Sequence, residues 1–252
     1  MLRASLLPLW LAATTAAAAP PAAQAGAPIE IMVEDAAVPW SGPDGSGYAN
    51  DLVRAAFEAV HTSVKLTVVP YARCKAYVMQ GAVAGCFNMS PAPEQKGYVA
   101  LSDQPLFEVF PRYYYNTDRS LPATSEQQIA PGTRIGIVNG YEYPASLAEV
   151  EKRGAVLDRA NSEQANLRKL SAGRVDLALM MANQMKTDAA IVQQARVNNV
   201  GVAFHATPMG SYIGFSTTHP QGEQARKLFN EGYRIISSNG RKNEIVRRWQ
   251  LR

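Results

Sequence analysis

The sequence predicts an α/β fold assembled from two separate runs of parallel strand–helix–strand units. Three observations predict it. An apolar strand, a short amphipathic helix and a second apolar strand follow one another between residues 66 and 87. A second such run occupies residues 134–205, with apolar positions enough for a core of its own. Helical patterns then close the chain beyond residue 221. Parallel neighbours in a sheet need a crossover, and a helix between two short apolar runs supplies it.

The chain has 252 residues. It begins Met1-Leu2-Arg3, followed by an alanine-rich apolar run over 4–19 and a small-x-small site at Ala23-Gln24-Ala25. That apolar run is short and soon meets Pro20-Pro21, so residues 1–25 are expected to be a secretory signal peptide and not a membrane span. No cysteine lies at the cleavage site, which argues against a lipoprotein anchor. The formal net charge is +4, and much of the basic excess falls in Arg226, Lys227, Arg234, Arg241, Lys242, Arg247 and Arg248. Glu223, Glu231 and Glu244 are interspersed among them, which reads as a solvated helical face and not a nucleic-acid surface.

Residues 28–33 read as the first strand. A turn-rich loop over 41–47 follows, and then a helix capped by Asn50, with Asp51 at the positive end of its dipole. Leu52, Val53, Ala56, Phe57 and Val60 give that helix one apolar face. Residues 66–69 form a buried strand ended by Pro70, 72–80 a helix stopped by Gly81, and 83–87 a second strand. Residues 106–115 alternate as a long strand, in which Pro111 suits an edge or hinge position. Strand 134–138, helix 144–153, a helix capped by Asn161 with Gln164 at the capping-box position, strand 175–180, helix 184–194 and strand 200–204 follow. Strand 209–216 and helices 221–238 and 241–249 complete the chain.

In open parallel sheets ligands sit beyond the carboxyl ends of the strands. Here those ends carry Pro70-Tyr71-Ala72-Arg73 and Asn88-Met89-Ser90. The two cysteines flank the same stretch. Cys74 lies in the helix's first turn and Cys86 near the following strand's end, within reach of a disulfide in an oxidising compartment; two packed free thiols are the alternative.

A set of landmarks carries a family resemblance. Pro39-Trp40 is followed by Gly47-Tyr48-Ala49-Asn50-Asp51-Leu52; Gln80-Gly81 precedes Ala92-Pro93-Glu94-Gln95; then come Leu101-Ser102-Asp103-Gln104-Pro105, Asn139-Gly140, and Gly173-Arg174-Val175-Asp176. Their order resembles that of the type II periplasmic solute-binding proteins, the group that includes the polar amino-acid receptors of ABC importers. The resemblance spans residues 29–249. It implies a two-lobe α/β fold with two crossing strands, near 112–118 and 205–211. Lobe one would comprise 28–113 with 209–252, and lobe two 114–208. It also implies a periplasmic location, an inner-membrane ABC permease as partner, action as a monomer, and no cofactor or nucleic acid.

In that family the arginine of "T-P-E-R" holds the ligand's α-carboxylate, and an acid after "G-R-V-D" holds its amino group. The matching positions here are Gln95 and Met181. Neither charge partner is present, so the resemblance implies a small polar or anionic solute other than a standard α-amino acid. Arg73 is the replacement cation if it faces the cleft, or else an exposed surface arginine. Trp40, Tyr71 and Tyr141 come from three loops at strand ends and suit stacking on a ligand or lobe packing. Asn88 and Ser90 suit hydrogen bonding to a ligand, or a turn. Asn183 is a lobe-two polar contact or a helix cap.

Enzyme motifs are lacking: His61, His205 and His219 have no metal-ligand spacing, and no G-x-S-x-G, P-loop or H-E-x-x-H occurs. Two further readings stay open on the same resemblance. One is a periplasmic cyclohexadienyl dehydratase, with Glu142 as a general acid. The other is a receptor-like accessory protein of a periplasmic quinoprotein dehydrogenase.

Overall fold

The computed structural model describes residues 27–251; the expected signal peptide lies outside them. The first strand, β1 (Ile29–Glu34), is buried on both faces apart from the half-buried Glu30 and runs one residue beyond the expected end, to Glu34. Helix α1 (Tyr48–Ala59) starts two residues before Asn50. Asn50 is therefore not its cap; its side-chain amide instead donates to the Gly45 and Ser46 carbonyls and ties down the preceding loop. Gly47 precedes the helix with φ +150°, where a Cβ would lie 2.3 Å from the Trp40 carbonyl oxygen. That close approach fixes the loop bearing Trp40.

Strand β2 (Val64–Val69), helix α2 (Tyr71–Met79) and strand β3 (Gly85–Met89) form the expected strand–helix–strand unit. The two strands do not pair with each other: both lie parallel to β1, which runs between them. Cys74 on α2 and Cys86 on β3 are joined in a disulfide with a Cα–Cα distance of 5.6 Å. It pins the helix that carries Tyr71 and Lys75 onto the sheet. A short 3-10 turn (Pro93–Gln95), strand β4 (Val99–Leu101) and the long strand β5 (Phe107–Asn116) follow.

The next elements are β6 (Arg134–Val138), α3 (Ser146–Lys152), β7 (Val156–Ala160), α4 (Glu163–Ser171), β8 (Leu177–Ala182), α5 (Asp188–Ala195) and β9 (Val200–His205). Strand β7 is absent from the sequence reading because Val-Leu-Asp-Arg-Ala has little apolar run; it is an edge strand, and pairing with β6 defines it. The α4 cap is Ser162, whose hydroxyl accepts from the Ala165 amide, and not Asn161. Strand β10 (Met209–Ser216) and helices α6 (Gly222–Ser238) and α7 (Arg241–Gln250) end the described chain.

The strands run in the order β2-β1-β3-β10-β5-β8-β6-β7, with β4 also on β10 and β9 also on β5. The path is continuous, yet it divides into two lobes. Strands β1–β4 and most of β10 belong to one, and β6–β9 with the second half of β5 to the other. They are joined by a short antiparallel ladder, Phe107–Val109 against Met209–Ser211. From Phe110 onward β5 pairs with β8, and from Arg112 also with β9. The stretch after Arg112, where sequence placed the first crossing, therefore already lies within the second lobe's sheet. Pro111 sits at the change of partners, where β9 pairing has not yet begun and its missing N–H costs no ladder bond.

Each lobe buries both faces of its sheet. In β1, Ile31 and Val33 face the cluster made with α1 and α6, while Met32 faces the one holding Tyr71, Cys74, Val78 and Met89. In the second lobe, Tyr113, Leu177 and Leu179 face one cluster and Tyr114, Ala178 and Met180 the other. The predicted apolar face of α1 packs on α6, with Phe57 and Phe229 ring centroids 5.9 Å apart. Burying side chains of this size contributes roughly 1.5–3 kcal/mol each. Met181 departs from this division: it is counted with the first lobe's core, although it sits on β8. The lobes therefore meet there.

Candidate functional site

Where the lobes meet, the carboxyl ends of β1 and β3, the β6–α3 loop and the end of β8 converge. Glu34, Trp40, Asn88, Ser90, Val109, Tyr141, Glu142, Met181 and Ser211 enclose a cavity of about 30 Å³, room for one or two water molecules. A larger groove of about 480 Å³ adjoins it and shares Glu34. Asp35, Tyr71 and Arg73 line the groove from the first lobe; Val138, Asn139 and Asn161 line it from the second.

Glu34 is 3% exposed. Its carboxyl accepts a short hydrogen bond from the Tyr141 hydroxyl and a 3.4 Å one from the Asn88 amide. It makes no ion pair with any described residue. Burial pushes its carboxyl up to about 7, against the opposing pull of the Tyr141 hydrogen bond and of the positive charge on Lys186. Two neighbours on the cavity wall have unpartnered buried atoms, Asn88 Oδ1 and Ser211 Oγ. Buried polar groups are ordinarily hydrogen-bonded, so this cavity has unused capacity for a guest rich in N–H or O–H donors.

Trp40 forms one wall. Its indole N–H donates to Asn183 Oδ1 at 3.2 Å, and it packs on Phe107 with ring centroids 4.8 Å apart. The Lys186 ammonium sits 4.4 Å from its ring centroid, a cation–π contact. Lys186 is itself paired, fully buried, with Glu163. Glu163 also accepts from the Met181 amide, which fixes the end of β8.

On the opposite side, the second lobe sends Glu142 into the first. One carboxylate oxygen, Oε2, accepts from the Tyr71 hydroxyl at 2.6 Å and the Ser90 amide at 3.3 Å. The other, Oε1, lies 2.9 Å from both Gln95 Nε2 and Lys75 Nζ. Lys75 also pairs with Glu94 at 2.9 Å. Burial lowers the Lys75 affinity for its proton, but the two carboxylates outweigh that and the net shift is upward. Tyr71 and Tyr141 stack edge to face with centroids 5.2 Å apart, and burial beside carboxylates raises both hydroxyls well above the usual phenol range. No group of His, Cys, Asp and Glu among the described residues is placed to hold a metal.

Comparison with solved structures decides the architecture. A histidine kinase sensor domain with similarity to periplasmic binding proteins superposes with a TM-score of 0.75, covering 88% of this chain and 95% of that one at 17% identity. The chain has the two-lobe periplasmic-binding-protein fold. The substrate-binding protein of an amino acid ABC transporter gives 0.69 at 15% identity, with 88% and 100% covered. The ancestral amino-acid-binding protein AncCDT-1, a precursor of cyclohexadienyl dehydratase, gives 0.69 at 14%, with 88% and 94% covered. Identities this low carry the fold and not the ligand. The chain matches no protein-family model and no curated protein.

Within this binding-protein fold the sequence-derived candidates fall into three places. Trp40, Asn88, Ser90 and Tyr141 come together on the cavity wall. Tyr71 and Arg73 line the outer groove, where Arg73 is exposed and makes no ion pair among the described residues. Gln95 and Asn183 line neither space. Gln95 holds Glu142 and the Ser90 carbonyl, and Asn183 holds Trp40 and the turn into Lys186. Met181, the position matched to the family's amino-group acid, does reach the cavity, as an apolar wall.

Sequence reasoning missed Glu34, Glu163, Lys186 and Ser211. Glu34 had a legible signal: an acid at the carboxyl end of a buried parallel strand. The Glu163–Lys186 pair had none, because the partners lie 23 residues apart and meet only through the fold.

Proposed function

We propose that this chain is a periplasmic solute-binding protein, acting as a monomer, that takes a compact polar solute between its lobes. The observation that carries this reading is Glu34. It is a buried carboxyl without a cationic partner among the described residues, beside the unpartnered Asn88 Oδ1 and Ser211 Oγ, in a cavity between lobes. A solute presenting an ammonium or several N–H donors completes that set. Arg73 in the outer groove is available to an anionic end. A standard α-amino acid is disfavoured, because Gln95 replaces the family's arginine and already serves Glu142. Delivery to an inner-membrane ABC permease is part of the proposal, supported by the fold it shares with the substrate-binding protein of an amino acid ABC transporter.

A dehydratase reading has less support. All four donors around Glu142 point at its two oxygens, and it is ion-paired with Lys75, an arrangement that holds a carboxylate and offers no proton to a substrate. A sensory or accessory role is the second reading, and one observation speaks for it: the cavity between the lobes is largely filled by the chain's own side chains.

A thermal-shift screen of small polar solutes tests the proposal. A ligand that binds only the folded state raises its apparent stability. The expected stabiliser carries an amine or amidine, acts more strongly above pH ~7 than below, where Glu34 holds a proton, and loses its effect in Glu34→Gln. If no amine-bearing solute stabilises the protein, or if the stabilisers act equally on Glu34→Gln, the assignment is wrong.

A further inference from the structure

We infer that Tyr71, Lys75, Ser90 and Gln95 form a carboxylate cradle that the chain fills with its own Glu142, so that the lobes close without a solute. The four donors come from α2, the turn after β3 and the 3-10 turn, all in the first lobe. The carboxylate comes from the second lobe, on the loop between β6 and α3. Two donors address each oxygen, at 2.6–3.3 Å. That number exhausts the lone-pair directions of an ionised carboxylate. One donor is an ammonium, one a backbone amide, one a phenol and one a side-chain amide, and all four address the carboxylate oxygens.

The loop is built to deliver Glu142 there. Gly140, two residues before it, has φ +86°, and a Cβ at that position would lie 3.0 Å from the Cα and Cβ of Ala72 on α2. The glycine lets the second lobe's backbone approach the first lobe's helix this closely. Lys75 then reaches across to the Gly140 carbonyl at 3.3 Å as well as to Glu142. A carboxylate delivered on a short tether competes at an effective concentration in about the millimolar range. A free carboxylate therefore enters the cradle only when Glu142 swings out. The inference uses the two-lobe fold and does not depend on which solute the neighbouring Glu34 cavity takes.

Small-angle scattering on the mature protein, freed of any bound solute by dialysis from denaturant, provides the test. The expected result is that solute-free protein scatters as the closed structure does, whereas Glu142→Ala gives a larger radius of gyration. Sodium acetate and sodium chloride at equal ionic strength should both leave the variant open, because a free carboxylate in the first lobe's cradle has no tie to the second lobe. A solute-free wild type that is already open, or a Glu142→Ala variant as compact as wild type, overturns the inference. Should Glu142→Ala fail to fold, the double variant Tyr71→Phe/Lys75→Met removes two donors from the first lobe and must open in the same way. A failed solute screen leaves these outcomes unchanged, so the latch and the proposed function fail separately.

Discussion

Replacing Glu34 by glutamine isolates the one buried acid, among the described residues, that lacks a cationic partner. Glutamine keeps the volume and an acceptor oxygen for Tyr141, but it cannot ionise. In the folded protein the Glu34 carboxyl titrates near 7, against an ordinary value of 4.5, and the first cause is burial. Below pH 4.5 the carboxyl is protonated in both folded and unfolded chains, so it costs nothing. As the pH rises from there toward 7, the unfolded chain ionises while the native one keeps its proton, and stability falls. Above 7 both are ionised and the whole penalty is present, about 3 kcal/mol at 1.36 kcal/mol per pH unit. The sign is opposite to that of a salt-bridged acid, whose contribution is lost on acidification.

Urea unfolding of solute-free wild type and Glu34→Gln at about pH 5 and about pH 8 measures this, since the linkage integrates to roughly 2.5 kcal/mol over that interval. The variant should gain that much relative to wild type on going to the higher pH. Any fixed cost of the substitution, such as a poorer hydrogen bond to Tyr141, cancels between the two conditions. Parallel pH dependences would show that Glu34 is solvated or paired in the folded protein, and the case for an acceptor-rich cavity would go with it.

Two other predictions concern stability. Replacing Cys74 and Cys86 by serine opens a loop with a sequence separation of 12, and should lower unfolding free energy by about 3 kcal/mol in the chain-entropy account; an unchanged denaturation midpoint would mean the bond does not form in solution. Lys186→Met leaves Glu163 buried and unpaired and should cost about 3–5 kcal/mol, with Glu163→Gln recovering much of it in a double-mutant cycle. Additive losses in that cycle would show that the two residues are not coupled.

Much of the framework was legible because it rests on local pattern. The apolar runs at β1, β2, β6 and β10, and the amphipathic spacing of α1 and α6, each specify an element without reference to the rest of the chain. Boundaries slipped where tertiary contacts outweighed local signals. Asn50 has the chemistry of a cap, yet the loop before it recruits its amide, and Gly47 with its positive φ starts the helix earlier. Strand β7 has no fully buried residue and carries Asp158 and Arg159 in its middle; it exists because β6 presents a ladder to it. At the site, aromatic and amide residues at strand ends could be named from topology alone. Their division into cavity wall, outer groove and supporting positions could not, since it depends on which lobe each side chain reaches across to.

The interface between the lobes then has a consistent charge logic. Glu142 is matched by Lys75, which also holds the exposed Glu94, and Glu163 by Lys186, so each of these buried carboxylates has an ammonium beside it. Closing the lobes over them requires no outside charge. Among the described residues, Glu34 is the one buried carboxyl in the closed interface without an ion-pair partner; it faces Lys186, Glu163 and the Tyr141 hydroxyl, and near neutral pH it resolves this by holding a proton. On the proposed function, a proton and a guest ammonium are rivals for one carboxyl, and the solute has to displace the proton. This competition is the reason the proposed screen should give larger shifts on the alkaline side of neutrality, and on that proposal solute choice turns on Glu34 more than on Arg73.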